Sequence, residues 1–162
     1  MSAPLYLVSN GMAGTQQAIS STLITLTRII VPASSGKRFE IDEIDVSQNG
    51  APNATDCDVE YTLASADATT AGTATAITPY NGGFDTAVTT AKANYTAEPT
   101  AYTQASEFWH KAVNQRGHAL YQAAPGYGLT FTAAVASAGP GLRAKSPNYT
   151  GTALGLMRFL EY

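Results

Sequence analysis

The sequence predicts an all-β fold, an antiparallel β-sandwich or jelly roll with a long Ala/Thr-rich arm or loop, and three observations predict it. Apolar residues recur at every second position over short runs, the pattern of strands with one buried face. Clusters of Gly, Pro and Asn separate those runs at turn-like intervals. No stretch carries a convincing helical period, and about eight to ten short strands with regular turn signals fit two packed sheets. The 162 residues fit a single domain, 1–162, with room for a real core.

Pro4 to Val8 is a short apolar run followed by a small, polar stretch, so residues 1–21 read as an N-terminal arm or edge strand and a loop. Thr22 to Val31 is rich in Thr, Ile, Leu and Val and stops at Pro32, which cannot donate to a ladder. Its apolar groups fall on both parities, with Leu23, Ile29 and Val31 against Ile24, Leu26 and Ile30, so both faces call for cover.

The clearest alternation runs from Lys37 to Ala64. Phe39 and Ile41 share one parity, Ile44 and Val46 the other, and Cys57, Val59, Tyr61 and Leu63 keep one throughout. A β-bulge at Asp42-Glu43 would return both apolar pairs to one face, because one inserted residue shifts the parity of all that follows. The turn formers Gln48 to Asn53 between the two runs predict an antiparallel hairpin at the centre of the core.

From Ser65 to Ser106 the chain is mostly Ala and Thr, with large apolar groups at Ile77, Tyr80, Phe84, Val88, Tyr95 and Tyr102 only. Few side chains are available there to offset the entropy of ordering, so residues 65–106 read as an extended arm or loop that needs a large surface to lie on: its own sheet, a neighbouring subunit or a partner. Glu107 to Val113, with Phe108-Trp109, and His118 to Ala124 read as strands. Pro125 to Gly128 is a turn, Leu129 to Val135 a strand, and Ser137 to Gly141 another turn. Thr152 to Tyr162 closes the chain with Leu154, Leu156 and Leu160 opposing Met157 and Phe159, again apolar on both sides. Two doubly apolar strands and an arm call for oligomerisation.

Composition narrows the function. Charged residues make up 13% and apolar residues 44%, which is not the composition of a disordered chain. A net charge of −3 offers no broad basic surface for nucleic acid. No run approaches the length of a membrane span and the N-terminus lacks a secretory signal, so a soluble protein made in a cytosol is expected, without a membrane partner. The Asn-x-Thr triplets at Asn53, Asn94 and Asn148 are then chance. Cys57, the single cysteine, excludes an intrachain disulfide and suits a small apolar filler.

Catalytic and metal signals are weak. His110 and His118 match no metal-site spacing, and no Ser or Cys completes a triad with either. Glu40, Asp42, Glu43, Asp45, Asp58 and Glu60 alternate with the apolar positions, which suits a solvated sheet face balanced by Lys37, Arg38 and other cations. A calcium site or an acid and base pair is the alternative. The Gly-rich segments at Asn81-Gly82-Gly83 and Pro125 to Gly128 do not join a strand to a helix, so they are turns and not phosphate loops. No cofactor, metal or enzymatic activity is expected.

Across nearly the whole chain, the Thr-rich first strand, the run Arg38 to Ser47, the Pro52-Asn53-Ala54-Thr55-Asp56 turn, Gly72-Thr73-Ala74-Thr75, Asn114-Gln115-Arg116-Gly117, Tyr121 to Gly126 and the closing strand resemble small virion proteins of tailed bacteriophages, including cyanophage-type cement proteins. That resemblance implies a β-sandwich capsid cement or decoration protein, a homotrimer bound to the major capsid protein on the outer surface of the head, bridging capsomers. Its expected contact residues are Ile24, Leu26, Ile30, Tyr80, Phe84, Trp109, Met157 and Phe159. The alternative is a tail or fibre β-sandwich whose loop aromatics, Tyr80, Phe84, Tyr95 and Tyr102, bind a carbohydrate or receptor.

Overall fold

The computed structural model describes residues 3–32, 36–66, 72–81, 87–99, 102–132 and 138–162. In chain order the elements are β1 (Leu5–Ser9), a 3-10 turn (Asn10–Ala13), β2 (Gln17–Ala18), β3 (Ile24–Ile30), β4 (Arg38–Asn49), β5 (Asp58–Ala66), β6 (Thr73–Ile77), β7 (Thr90–Ala97), β8 (Tyr102–Asn114), β9 (His118–Gln122), β10 (Leu129–Thr132), β11 (Gly139–Lys145) and β12 (Thr152–Glu161). They form two antiparallel six-stranded sheets packed as a β-sandwich. Sheet A runs β1-β12-β4, with β10 and β9 one after the other along the far edge of β4 and β2 on the end of β12; sheet B runs β6-β7-β3-β11-β5-β8.

The core lies between the sheets. Val8, Phe39, Ile41, Ile44, Val46, Met157 and Phe159 of sheet A meet Leu26, Ile29, Val59, Tyr61, Leu63 and Leu142 of sheet B, and all are buried. Aromatic contacts close it at one end, where Phe39 stacks on Phe131 at 5.4 Å and Phe131 meets the edge of Phe108 at 4.9 Å. Tyr61 spans the two layers, its hydroxyl donating to the Ser47 carbonyl at 3.0 Å.

β-Bulges explain the parity changes in the sequence. On β4 the partner register passes from Arg158↔Glu43 to Phe159↔Ile41, leaving Asp42 as the extra residue. The bulge expected at Asp42-Glu43 is there, and Phe39, Ile41, Ile44 and Val46 are all fully buried. The same device resolves the doubly apolar β3. Its register against β11 passes from Leu142↔Thr27 to Arg143↔Thr25, so Leu26 is inserted and Ile24 and Leu26 turn to the same side as Ile29. β3 therefore does not present two apolar faces to a partner; of its apolar residues Ile30, opposite Thr90, keeps the outer parity. A further bulge at Phe108, skipped between Leu63↔Trp109 and Ala64↔Glu107, brings Phe108 into contact with Phe131 while its neighbour Trp109 packs on the core.

The hairpin expected between Lys37 and Ala64 does not form. β4 pairs with β12, β9 and β10, whereas β5 pairs with β11 and β8. The stretch between them carries the chain from one sheet to the other, and the two alternating runs face each other across the core instead of along a ladder. Among the described strands, β6 and β7 are the one sequence-adjacent pair that shares a ladder. Alternation reports which face of a strand is buried and says nothing about its neighbour in the sheet.

The Ala/Thr-rich segment finds its surface within the chain, and one expectation changes. The segment read as an extended arm supplies β6 and β7, which extend the chain's own sheet B beside β3. Ladder hydrogen bonds and the close approach of Ala91, Ala93 and Tyr95, all buried, stand in for the large side chains it lacks. Conversely, Gly139 to Gly141, read as part of a turn, opens β11, a central strand of sheet B. Pro140 is tolerated because pairing with β3 begins only at Gly141. Gly139 is required because a Cβ there would lie 2.0 Å from the Ile29 carbonyl oxygen.

Candidate interaction face

The outer face of sheet A is where the fold concentrates unsatisfied apolar surface. On β12 the buried residues Ala153, Gly155, Met157, Phe159 and Glu161 alternate with half-buried Leu154, Leu156, Arg158 and Leu160. The second set points away from the core. The register places Leu5 beside Leu160, Leu7 beside Arg158 and Ser9 beside Leu156 on one flank. On the other flank Leu156 lies opposite Asp45, which lies opposite Leu120 of β9. Tyr80 joins the edge through paired backbone hydrogen bonds with Leu7 at 2.8 and 2.9 Å.

Exposure makes this face distinctive. The large apolar or aromatic side chains that are exposed among the described residues are Leu5, Met12, Tyr80, Val88, Phe108, Leu120, Tyr127 and Tyr162. Leu5, Tyr80, Leu120 and Tyr162 lie on the sheet A face, with Leu120 at 53% and Tyr80 at 63%, and Tyr127, at 79%, stands on the turn folded over it. A solvated sheet face normally carries polar side chains at such positions. Between that turn and the sheet runs a groove of about 700 Å³ lined by Glu40, Asp42, Gln122, Ala123 to Gly126, Arg158 and Leu160.

Charges cross the face as a stripe along β4. Arg158 donates from Nε and Nη2 to Asp42 at 3.0 to 3.2 Å, and its Nη1 lies 3.1 Å from Glu43. The bonds to Asp42 raise the guanidinium's pKa; partial burial opposes them, and the charges of Asp42 and Glu43 add to the rise. Glu40 is buried beneath the turn, accepting from Gly128 N at 2.8 Å and from the Tyr162 hydroxyl at 3.2 Å. Tyr162 is correspondingly raised above the ordinary tyrosine value by loss of hydration and by the Glu40 charge, and Arg38 sits 5.8 Å from its ring centroid. His118 contacts Asp45 at 2.7 Å.

The other titratable groups lie away from this face. His110 lies 3.1 Å from Glu107 and 3.8 Å from Glu60, which also meets Lys145 at 3.0 Å, on the outer side of sheet B. Glu60 and Asp58 belong to β5 in sheet B, so the six acids do not form one cluster. Among the described residues no group of three or more His, Cys, Asp and Glu side chains is arranged to hold a metal ion. Cys57 is half-buried at the edge of the core, 3.5 Å from Gln115 Oε1. The side chain of Gln115 organises the loop before β5: its amide donates to Asn53 O, Thr55 O and Asp56 and accepts from Asn53 N. No pattern in the sequence marks a lone Gln for that task.

Of the contact residues named from the sequence, Leu26, Met157 and Phe159 are fully buried between the two sheets of this chain, and Ile30 is buried on the outer parity of β3. Their surface is taken up within the monomer. Ile24 and Trp109 are half-buried against the core, Tyr80 is exposed on the face described above, and Phe84 lies outside the described residues. The outward leucines of β12 were visible as the second apolar parity of the closing strand, while Leu5, Leu120 and Arg158 join them only through the strand order. Comparison with protein-family models, with curated proteins and with solved structures finds no match for this chain.

Proposed function

We propose that this chain is a structural, non-enzymatic virion protein of the capsid cement or decoration class, a homotrimer that binds the major capsid protein on the outer surface of the head and stabilises it by bridging capsomers. The observation that carries the reading is the outer face of sheet A, where Leu5, Leu120, Leu154, Leu156, Leu160 and Tyr80 present apolar and aromatic surface from a rigid double sheet. A protein that works by contact needs such a platform, and aromatic groups within a polar surround are the composition of interface centres. The paired charges on the face support the same role, since each carboxylate is bonded to a neighbour: Glu40 to Gly128 N, Asp42 and Glu43 to Arg158, and Asp45 to His118. The trimer and the capsid partner follow from the sequence resemblance. Heads prepared without the protein should bind it on mixing and release their DNA at a higher temperature, and the free protein should have the mass of a trimer. A monomer that leaves the heads bare would overturn the proposal.

A second reading, a carbohydrate-binding module of a tail or fibre, is favoured by one observation: the exposed Tyr127 stands beside a groove containing Asp42 and Gln122. Aromatic platforms next to carboxylates and amides suit sugars. Sugar-dependent binding on a glycan array, without binding to heads, would select it.

A further inference from the structure

Resting on the cement reading, we propose that the outer face of sheet A is the surface that docks on the shell, and that its occupant is a protein surface presenting Arg or Lys side chains among apolar ones, not a second copy of this chain. Three features of the face favour a cationic partner. Asp42, Glu43 and Asp45, all partly exposed, lie along β4 between the leucines of β12 and Leu120 of β9, three carboxylates against the one guanidinium of Arg158, with buried Glu40 beyond them toward Arg38. Tyr80, Tyr127 and Tyr162 offer exposed rings to a guanidinium, as Tyr162 already does to Arg38. The groove between the turn and the sheet has room for a long side chain, with Leu160 for its stem and Asp42 and Gln122 for its head.

The same charges disfavour self-pairing through this face. Two copies laid face to face would set the carboxylate stripe of one against that of the other, and like charges across an interface are a strong deterrent. A partner with cations at matching positions gains from both the leucines and the acids. Contacts between copies of a trimer then fall elsewhere on the chain, leaving sheet A free for the shell.

The test is co-sedimentation of the full-length protein with heads lacking it, at varied salt, for the wild type and four variants. Gln122 is exposed in the groove, so Gln122→Lys and Gln122→Glu change the charge of the face with little change in size. Gln122→Lys should weaken binding about three- to ten-fold and Gln122→Glu should leave it equal or tighter, whereas damage by size alone would weaken both. Tyr80→Ser should weaken binding, and Thr75→Lys, exposed on β6 of sheet B, should leave it unchanged. Affinity of the wild type should fall as NaCl rises from about 0.05 to 0.5 M. Thermal unfolding of each variant separates lost binding from lost folding. If the wild type binds but the two Gln122 variants and Tyr80→Ser bind as it does, or if binding tightens with salt, the docking proposal fails and the cement reading stands. If the wild type does not bind, both fail.

Discussion

Gly155 of β12 lies at a close approach of the two sheets, and replacing it tests the arrangement directly. A Cβ at this position would lie 2.6 Å from Leu142 Cδ2 of β11 and 3.0 Å from Leu26 Cδ1 at the β3 bulge. In an open strand Gly→Ala would stabilise by about 0.5–1 kcal/mol, because alanine has less backbone entropy to lose. Here the methyl overpacks the core at a cost of about 1–3 kcal/mol, so G155A should be net destabilising by roughly 0.5–2 kcal/mol. Leu142→Val removes the nearest atom and by itself costs about 1 kcal/mol for the lost methylene. Together the two changes should interact favourably by about 1 kcal/mol or more, so that G155A becomes neutral or stabilising in the L142V background. Urea denaturation followed by circular dichroism, with all four proteins of the cycle, gives the coupling. Strictly additive effects, or a stabilising G155A in the wild-type background, would mean that β12 does not face β11 at this register.

Three other outcomes follow from buried polar groups. Glu161 is buried and accepts from Val88 N, Thr89 N and Thr89 Oγ1 at 3.1 to 3.3 Å, tying the segment before β7 to the end of β12. Glu161→Ala should cost about 2–4 kcal/mol in urea titration and Glu161→Gln less, because the amide keeps one acceptor. Asn10, fully buried, continues the β1 ladder with its side chain, accepting from Gly155 N and donating to Ala153 O at 2.8 Å each. Asn10→Ala leaves both backbone groups unpaired and should lower stability by about 2–3 kcal/mol; Asn10→Asp should lower it too, since a carboxylate cannot donate to Ala153 O. Burial, with a smaller contribution from Tyr149, raises the pKa of Tyr61 above the ordinary 10.0. A folded-state pKa above the unfolded one means that the unfolded chain loses its proton first. Stability is therefore whole below pH 10 and falls by about 1.4 kcal/mol per pH unit above it for this one group. Tyr61→Phe should be about 1 kcal/mol less stable at neutral pH for loss of the bond to Ser47 O, yet decline less steeply in alkali. An unchanged alkaline slope, measured by thermal unfolding between pH 9 and 11.5, would show that Tyr61 is not shielded.

The amino-acid sequence by itself determined the β class, the inward face of most strands and the bulge at Asp42, because period-two alternation is a local signal and a parity slip within it has one simple geometric cause. It could not determine which strands neighbour one another. Among the described strands six of the eleven connections switch sheets and one sequence-adjacent pair shares a ladder, so ladders join residues far apart in the chain, such as Phe39 with Glu161 and Leu142 with Leu63, and no local pattern encodes that pairing. β11 stayed hidden for the same reason: with a Gly-Pro-Gly start and only Leu142 and Ala144 turned to the core, it is a strand because β3 and β5 flank it. The leucines of β12 were legible as a second apolar parity, but only tertiary structure decided that Met157 and Phe159 are spent inside while Leu154, Leu156 and Leu160 face outward beside Leu5, Leu120 and the acids of β4. A surface is assembled from separate strands, and its chemistry exists only once the strand order brings them together.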